Sequence, residues 1–193
     1  MEATERELWV LNFFRNSELH GALLMGRLAR TLSDTDLLAN ATRHCATEAR
    51  HAAMLSETIA SVGGRIDPKI ETVQERYSSK GGVPTSLVDL LVLSEVLEKR
   101  VLGTYRAYMH RNDVHPSVRE TLREIIQEME QEEEGEHAGW IDEALHSLPR
   151  EAVEAAEGRW LAVDQAVVKD IEDMVNARFP EAENRSRRTS RRK

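Results

Sequence analysis

Acidic and imidazole side chains interrupt the apolar stripes of four successive helical stretches. They are Glu18 in the first, Glu48 and His51 in the second, Glu95 and Glu98 in the third, and Glu134 and His137 in the fourth. Turned inward from a helix, such a group costs several kcal/mol unless it is paired, protonated or bound to a cation. In Glu48-Ala49-Arg50-His51 and Glu134-Gly135-Glu136-His137 the i, i+3 spacing sets carboxylate and imidazole on one face, a turn apart. Six or seven oxygen and nitrogen donors without a thiolate suit two iron or manganese ions rather than a structural zinc. Cys45 is the only cysteine, which excludes a disulfide scaffold and any Cys-based zinc or rubredoxin-type site.

The elements that must position these groups read as five helices. A capping box at Thr4-x-x-Glu7 opens the first, which runs to about Thr31 behind Leu11, Phe14, Ala22, Met25 and Leu28. Ser33 is the expected N-cap of the second, which Gly63-Gly64 stops after Val62. Residues 63–83 come next, rich in Gly, Pro and Ser and without long periodicity, a span long enough to cross the height of a bundle. The third helix is expected over 85–110, the fourth over 116–147 after Pro116, and an amphipathic fifth over 149–178. Each polar intruder falls near the middle of its helix. Helix midpoints share one height in an antiparallel bundle, so the groups are expected to meet in one slab.

Chance and phase limit what the motif says by itself. With 25 Glu and 7 His in 193 residues, about one Glu-x-x-His pair is expected at random. The chain has three, because Glu143 and His146 also match. His146 lies nine residues beyond His137, about half a turn out of phase, and reads as surface. Other groups take plainer readings. His44 is expected at the surface near a helix end, with a place behind Glu48 as the alternative. His20 is out of phase with Glu18 and expected exposed, and Cys45 is expected in the core. Tyr105 and Tyr108 read as packing residues, with electron transfer as the alternative. Of the run Glu128 to Glu136, only Glu134 is expected to face inward, with Glu130 as a second candidate.

With short, long and short connections and this donor pattern, residues 5–147 resemble the ferritin-like di-iron carboxylate superfamily, of rubrerythrin, bacterioferritin and di-iron hydroxylase type. The resemblance implies an all-α fold: a ferritin-like four-helix bundle over 4–148 with one long crossover between helices two and three. A long fifth helix over 149–178 would complete a domain of residues 1–178. It further implies that Glu48 and Glu134 bridge the metals, that His51 and His137 are terminal nitrogen ligands, and that Glu18 is a terminal carboxylate. Glu95-x-x-Glu98 looks like rubrerythrin, whose second glutamate is also a ligand; one ligand with the other behind it is equally workable. The implied cofactor is two iron ions (Fe/Fe or Mn/Fe). Haem is not expected, because Ala49 stands where bacterioferritin places its haem methionine.

By the same resemblance the chemistry is activation of O2 or hydrogen peroxide, by an oxygenase or hydroxylase or by a rubrerythrin-like peroxidase. Electrons would come from a separate donor protein, since the rubredoxin domain is missing, and the substrate would be a small molecule or RNA. Ferritin-type iron oxidation and storage is the alternative, disfavoured by the long fifth helix. A non-enzymatic helical interaction module is the third reading. A homodimer is compatible with any of them.

Composition sets the outer bounds. Ala, Leu, Glu and Arg dominate and aromatics make up 5%, which favours helix over β-sandwich or barrel. No apolar run reaches membrane-spanning length, and the charged, acidic N-terminal residues are unlike a leader peptide, so a cytoplasmic protein is the expectation. Arg185 to Lys193 carry six positive charges and no acid; taking those six from the net −8 leaves −14 on the rest. Such an acidic body is ill suited to gripping a phosphate backbone. The basic segment 179–193 is expected to be a disordered tail, without an interleaved aromatic to stack on bases.

Overall fold

A computed structural model describes residues 3–30, 32–134 and 139–180, with 132–134 described by backbone alone. Among these residues all regular structure is helical. The elements are α1 (Glu5–Ala29), α2 (Thr35–Ser61), α3 (Val73–Gly81), α4 (Leu87–Met109), α5 (Pro116–Glu134), α6 (Trp140–His146) and α7 (Arg150–Arg178).

The ends of these helices obey capping chemistry. Thr4 Oγ1 accepts the amide of Glu7 at 3.1 Å and starts α1. Asp34, not Ser33, caps α2: its Oδ1 accepts the amides of Asp36 and Leu37 at 3.0 and 2.9 Å. A charged acceptor one residue later also meets the positive end of the helix dipole, which a serine cannot do. Within the crossover, Thr72 and Glu75 form a reciprocal capping box that starts α3. This short helix departs from the expectation of an irregular span, although Thr72-x-x-Glu75 carries its signature. The fourth helix, expected unbroken over 116–147, appears as α5 and α6. Gly139 has φ +69°, a left-handed conformation that a right-handed helix cannot pass through and that glycine adopts without a Cβ penalty.

Side-chain pairs fix how α1, α2, α4 and α5 run. Arg15 meets Ser56, while Gly21 lies against Glu48 and Gly26 against Cys45, so α1 and α2 are antiparallel. His51 with Glu128 and Thr58 with Thr121 set α2 antiparallel to α5. Arg106 with Glu130, and Arg119 with the carbonyl of Met109, do the same for α4 and α5. Tyr105 on Glu18, and Tyr108 packed edge-on to Phe14, set α4 antiparallel to α1. Hence α2 and α4 are parallel, and the chain between them must climb the bundle. Leu11, Leu55, Ile59, Leu91, Leu122 and Ile125 fill the interior.

Polar residues of α1 hold the climbing segment. Asn12 Nδ2 donates to the carbonyl of Arg65 at 3.1 Å, and its Oδ1 accepts the amide of Asp67 at 2.7 Å. Asn16 donates to the carbonyls of Asp67 and Ile70, both at 2.9 Å. Ser17 Oγ accepts the amide of Val73 at 3.0 Å. Asn12, Asn16 and Ser17 are buried, and in this way they satisfy crossover backbone that α1 would otherwise leave unpaired.

The long α7 lies against α3 and α4. Asp164, buried in that seam, accepts from the Tyr77 hydroxyl and twice from the Arg100 guanidinium, with Arg100 Nε at 2.8 Å. Burial alone would raise the Asp164 carboxyl, but the donors from Arg100 and Tyr77 outweigh it and hold it below the usual aspartate range. A lowered folded value stabilises the fold above the ordinary aspartate range, and this contribution is lost as pH falls through the lowered value. Asp164→Asn is expected to cost about 2–3 kcal/mol at neutral pH. In urea titrations from pH 7 to 3 the variant should lose less stability than wild type.

Candidate functional site

Glu18 sits on the inner face of α1, one residue past Ser17, whose hydroxyl anchors the crossover. At 5% exposure its carboxylate is a buried charge that must be matched. Two groups match it. The Tyr105 hydroxyl, from α4, donates to Oε1, and His51 Nδ1, from α2, lies 3.4 Å from Oε2. Burial and then the Glu18 charge raise the Tyr105 phenol well above its usual value, so it stays a donor. His51 is 3% exposed. Burial pulls its imidazole down, yet the hydrogen bond to Glu18 and the charges of Glu18, Glu48 and Glu128 outweigh this and raise it. Its other nitrogen, Nε2, is 3.0 Å from Glu128 Oε2.

Two turns earlier along α2, a second imidazole stands between carboxylates. His44 Nε2 is 3.3 Å from Glu48 Oε1 and 3.4 Å from Glu98 Oε1, the latter on α4. The Glu48 carboxylate lies against α1 where Gly21 has no side chain; a Cβ there would collide with its oxygens. Only glycine at position 21 leaves Glu48 this place. The edge of Trp140 meets the His44 ring at a centroid distance of 6.2 Å.

Glu18, Glu48, His51 and Glu98 come from three helices to line one cavity, but in two groups about two turns apart along α2 rather than in the single slab expected: Glu18 with His51, and Glu48 and Glu98 with His44. Glu95 lines the same cavity but pairs with Lys99 a turn on. Glu134 is the last residue of α5, with its side chain outside the described residues; His137 lies wholly outside them, as does the basic segment from 181 onward. The described chain on both sides of that gap, Gln131 and Gly139 to Asp142, lines the same cavity as Glu18 and Glu48. This cavity, of about 550 Å³, opens beside the carboxylates between α1, α2, α4 and α6.

Three residues join the cluster against expectation. His44 is not a surface residue: α2 begins at Thr35, so His44 lies more than two turns inside it, and its side chain is 11% exposed. Its i, i+4 relation to Glu48 and i, i+7 relation to His51 is the signal that marks it. Glu128 belongs to an acidic run that reads as solvated, yet it faces His51 and also pairs with Arg50. Glu130 pairs with Arg106 at the surface instead. Tyr105 packs on Phe14, as expected, but its hydroxyl engages Glu18. His20, expected exposed, is half-buried with Nδ1 2.8 Å from Thr72 Oγ1, at the start of α3. His146 is exposed, as its phase indicates.

The donors suit a divalent transition-metal ion in kind: carboxylate oxygens and imidazole nitrogens, partly desolvated, with Glu18 and His51 held in place by further hydrogen bonds. Among the described residues, no three of them converge in a metal-binding arrangement. They meet at ion-pair distances around His51 and around His44. Compared with known proteins, the chain matches no family model and no curated sequence.

The pairing of Glu18 with Tyr105 is testable by a double-mutant cycle. In metal-free protein, Tyr105→Phe is expected to cost about 1–3 kcal/mol, because it strips a donor from a buried carboxylate. In the Glu18→Gln background the same change should cost measurably less, as read from urea unfolding.

Proposed function

We propose that this chain is a ferritin-like di-iron carboxylate oxidoreductase that activates O2 or peroxide, acting as an oxygenase or hydroxylase on a small organic molecule or as a rubrerythrin-like peroxidase. One observation carries the reading. Glu18, Glu48, His51 and Glu98, from three helices, line one cavity of small-molecule size. The antiparallel order of α1, α2, α4 and α5, with a crossover joining two parallel helices, is the topology that ferritin-like bundles use.

In this reading Glu18, Glu48, His51 and Glu98 hold the metals, joined by Glu134 and His137, with Glu95 as the alternative on α4. When bound, the two ions (Fe/Fe or Mn/Fe) would supply the redox equivalents and open coordination positions for the oxidant. The protein's own share is positioning. Tyr105 orients Glu18 from one side and His51 faces it from the other. Glu128 turns the His51 ring by its second nitrogen, the arrangement by which a histidine ligand is ordinarily fixed. His44 stands between Glu48 and Glu98 and limits their separation. Electrons would come from another protein, for the only thiol, Cys45, lies near Gly26 on the α1–α2 seam.

The cavity favours an organic substrate over ferritin-type storage. Its walls combine carboxylates with Leu24, Met25, Leu97, Val101 and Trp140, whereas storage needs only a path for ions. An interaction module would have no use for a buried carboxylate such as Glu18, held by Tyr105 and His51.

Anaerobic loading with ferrous iron, then addition of O2 or peroxide, tests the proposal optically. Wild type should bind about two iron ions per chain and oxidise them rapidly. Glu48→Ala and Glu134→Ala should lose at least about tenfold in oxidation rate. Gly21→Ala should keep or gain stability, by up to about 1 kcal/mol from helix propensity, while weakening iron binding through displacement of Glu48. Absence of iron uptake by wild type would overturn the reading.

A further inference from the structure

The α3 helix, unexpected in the crossover, delivers Gln74 to the cavity wall. Gln74 is 6% exposed. Its Nε2 donates to the carbonyl of Ser17 at 3.0 Å, which fixes the amide, since a carbonyl can only accept. The other end, Oε1, is a buried acceptor without a hydrogen-bond partner among the described residues. An unmet buried acceptor costs about 1–3 kcal/mol, so its retention beside a cavity points to something that meets it there. Asn40 Oδ1, on another wall of the same cavity, is likewise buried without such a partner. Asn40 precedes Glu48 by eight residues of α2, about 12 Å of helical rise, so the cavity is elongated along the bundle.

The rest of the lining narrows what fits. Leu24, Met25, Leu97, Val101 and Trp140 present apolar surface. Among the described residues, five carboxylates line the cavity against the cations Arg43 and Lys99, and Lys99 is paired with Glu95. An anionic head group is repelled by that balance. The Gln74 amide, fixed by the Ser17 carbonyl, leaves an acceptor unmet, so the complementary head group is a donor.

We infer that the cavity binds a neutral organic molecule with an elongated apolar body and a hydroxyl or amide N–H head, and that Gln74 selects it by accepting that hydrogen through Oε1. Gln74 is here a specificity-determining residue. The inference deepens the oxygenase reading by naming the class of substrate, and rests on that reading for any reaction of the bound molecule. Binding itself needs no metal.

Calorimetry on the full chain tests it with three probes of matched length: 1-heptanol, its methyl ether and heptanoate. The alcohol should bind saturably with one site per chain. The ether, which cannot donate, and heptanoate, which is charged, should each bind at least about tenfold more weakly. Gln74→Leu should abolish the preference for alcohol over ether while leaving ether binding in place. Equal binding of alcohol and ether by wild type, or a preference that survives in Gln74→Leu, would overturn the inference. If Gln74→Leu does not fold, Leu24→Trp decides, because a bulky ring from α1 should fill the cavity and remove alcohol binding; retained binding overturns the assignment. A chain that binds the alcohol but takes up no iron defeats only the di-iron reading. One that oxidises iron but binds no alcohol defeats only this one.

Discussion

A buried carboxylate is the constraint around which this bundle is arranged. Glu18 lies on the core face of α1, where an unmatched charge would cost more than the net stability of many small domains allows. It is met from two other helices at once, by Tyr105 of α4 and His51 of α2. Those contacts set the heights of both helices against α1. His51 in turn engages Glu128, and so places α5 as well. One acidic residue therefore ties four helices at a common level. The apolar core around it could tolerate small slides of one helix along another; the polar contacts do not, because each depends on direction as well as distance.

Directional bonds hold the crossover too. Asn12, Asn16 and Ser17 occupy positions on α1 that a simple bundle would fill with apolar side chains. They bond instead to the backbone between Arg65 and Val73, most of which has no helix or strand to satisfy it. The crossover is thereby fastened beside the candidate site, and α3 is brought where Gln74 reaches the cavity. On the far side, Asp164 joins α3, α4 and α7 through Tyr77 and Arg100. The long seventh helix thus supports the crossover from outside while α1 holds it from within.

The chemistry proposed for the cavity draws on both features. Carboxylates and imidazoles would supply the donors for redox-active ions, and the crossover would supply an uncharged acceptor and part of a wall. Positioning comes from regular helices rather than loops, which favours a rigid arrangement of the donors. The apolar residues that share the cavity lower the local dielectric and strengthen every charge interaction within it.

Much of this was legible in the residues alone. Interrupted stripes placed Glu18, Glu48, His51 and Glu98 at the middles of their helices, and connection lengths implied that two helices run parallel. Period and chain length decide those matters, and both are local properties of the sequence. What sequence could not decide was the pairing. Glu128 looks like one more solvated acid in a run of them, and only the rotation of α5 against α2 turns it to His51. His44 shares a face with Glu48, but its burial depends on Trp140 and Glu98 arriving from elsewhere in the chain. Gln74 has no pattern at all; it matters because α1 offers a carbonyl for one end of its amide. Helix period is encoded in neighbours along the chain, whereas which acid meets which imidazole is settled by the packing of elements distant in sequence.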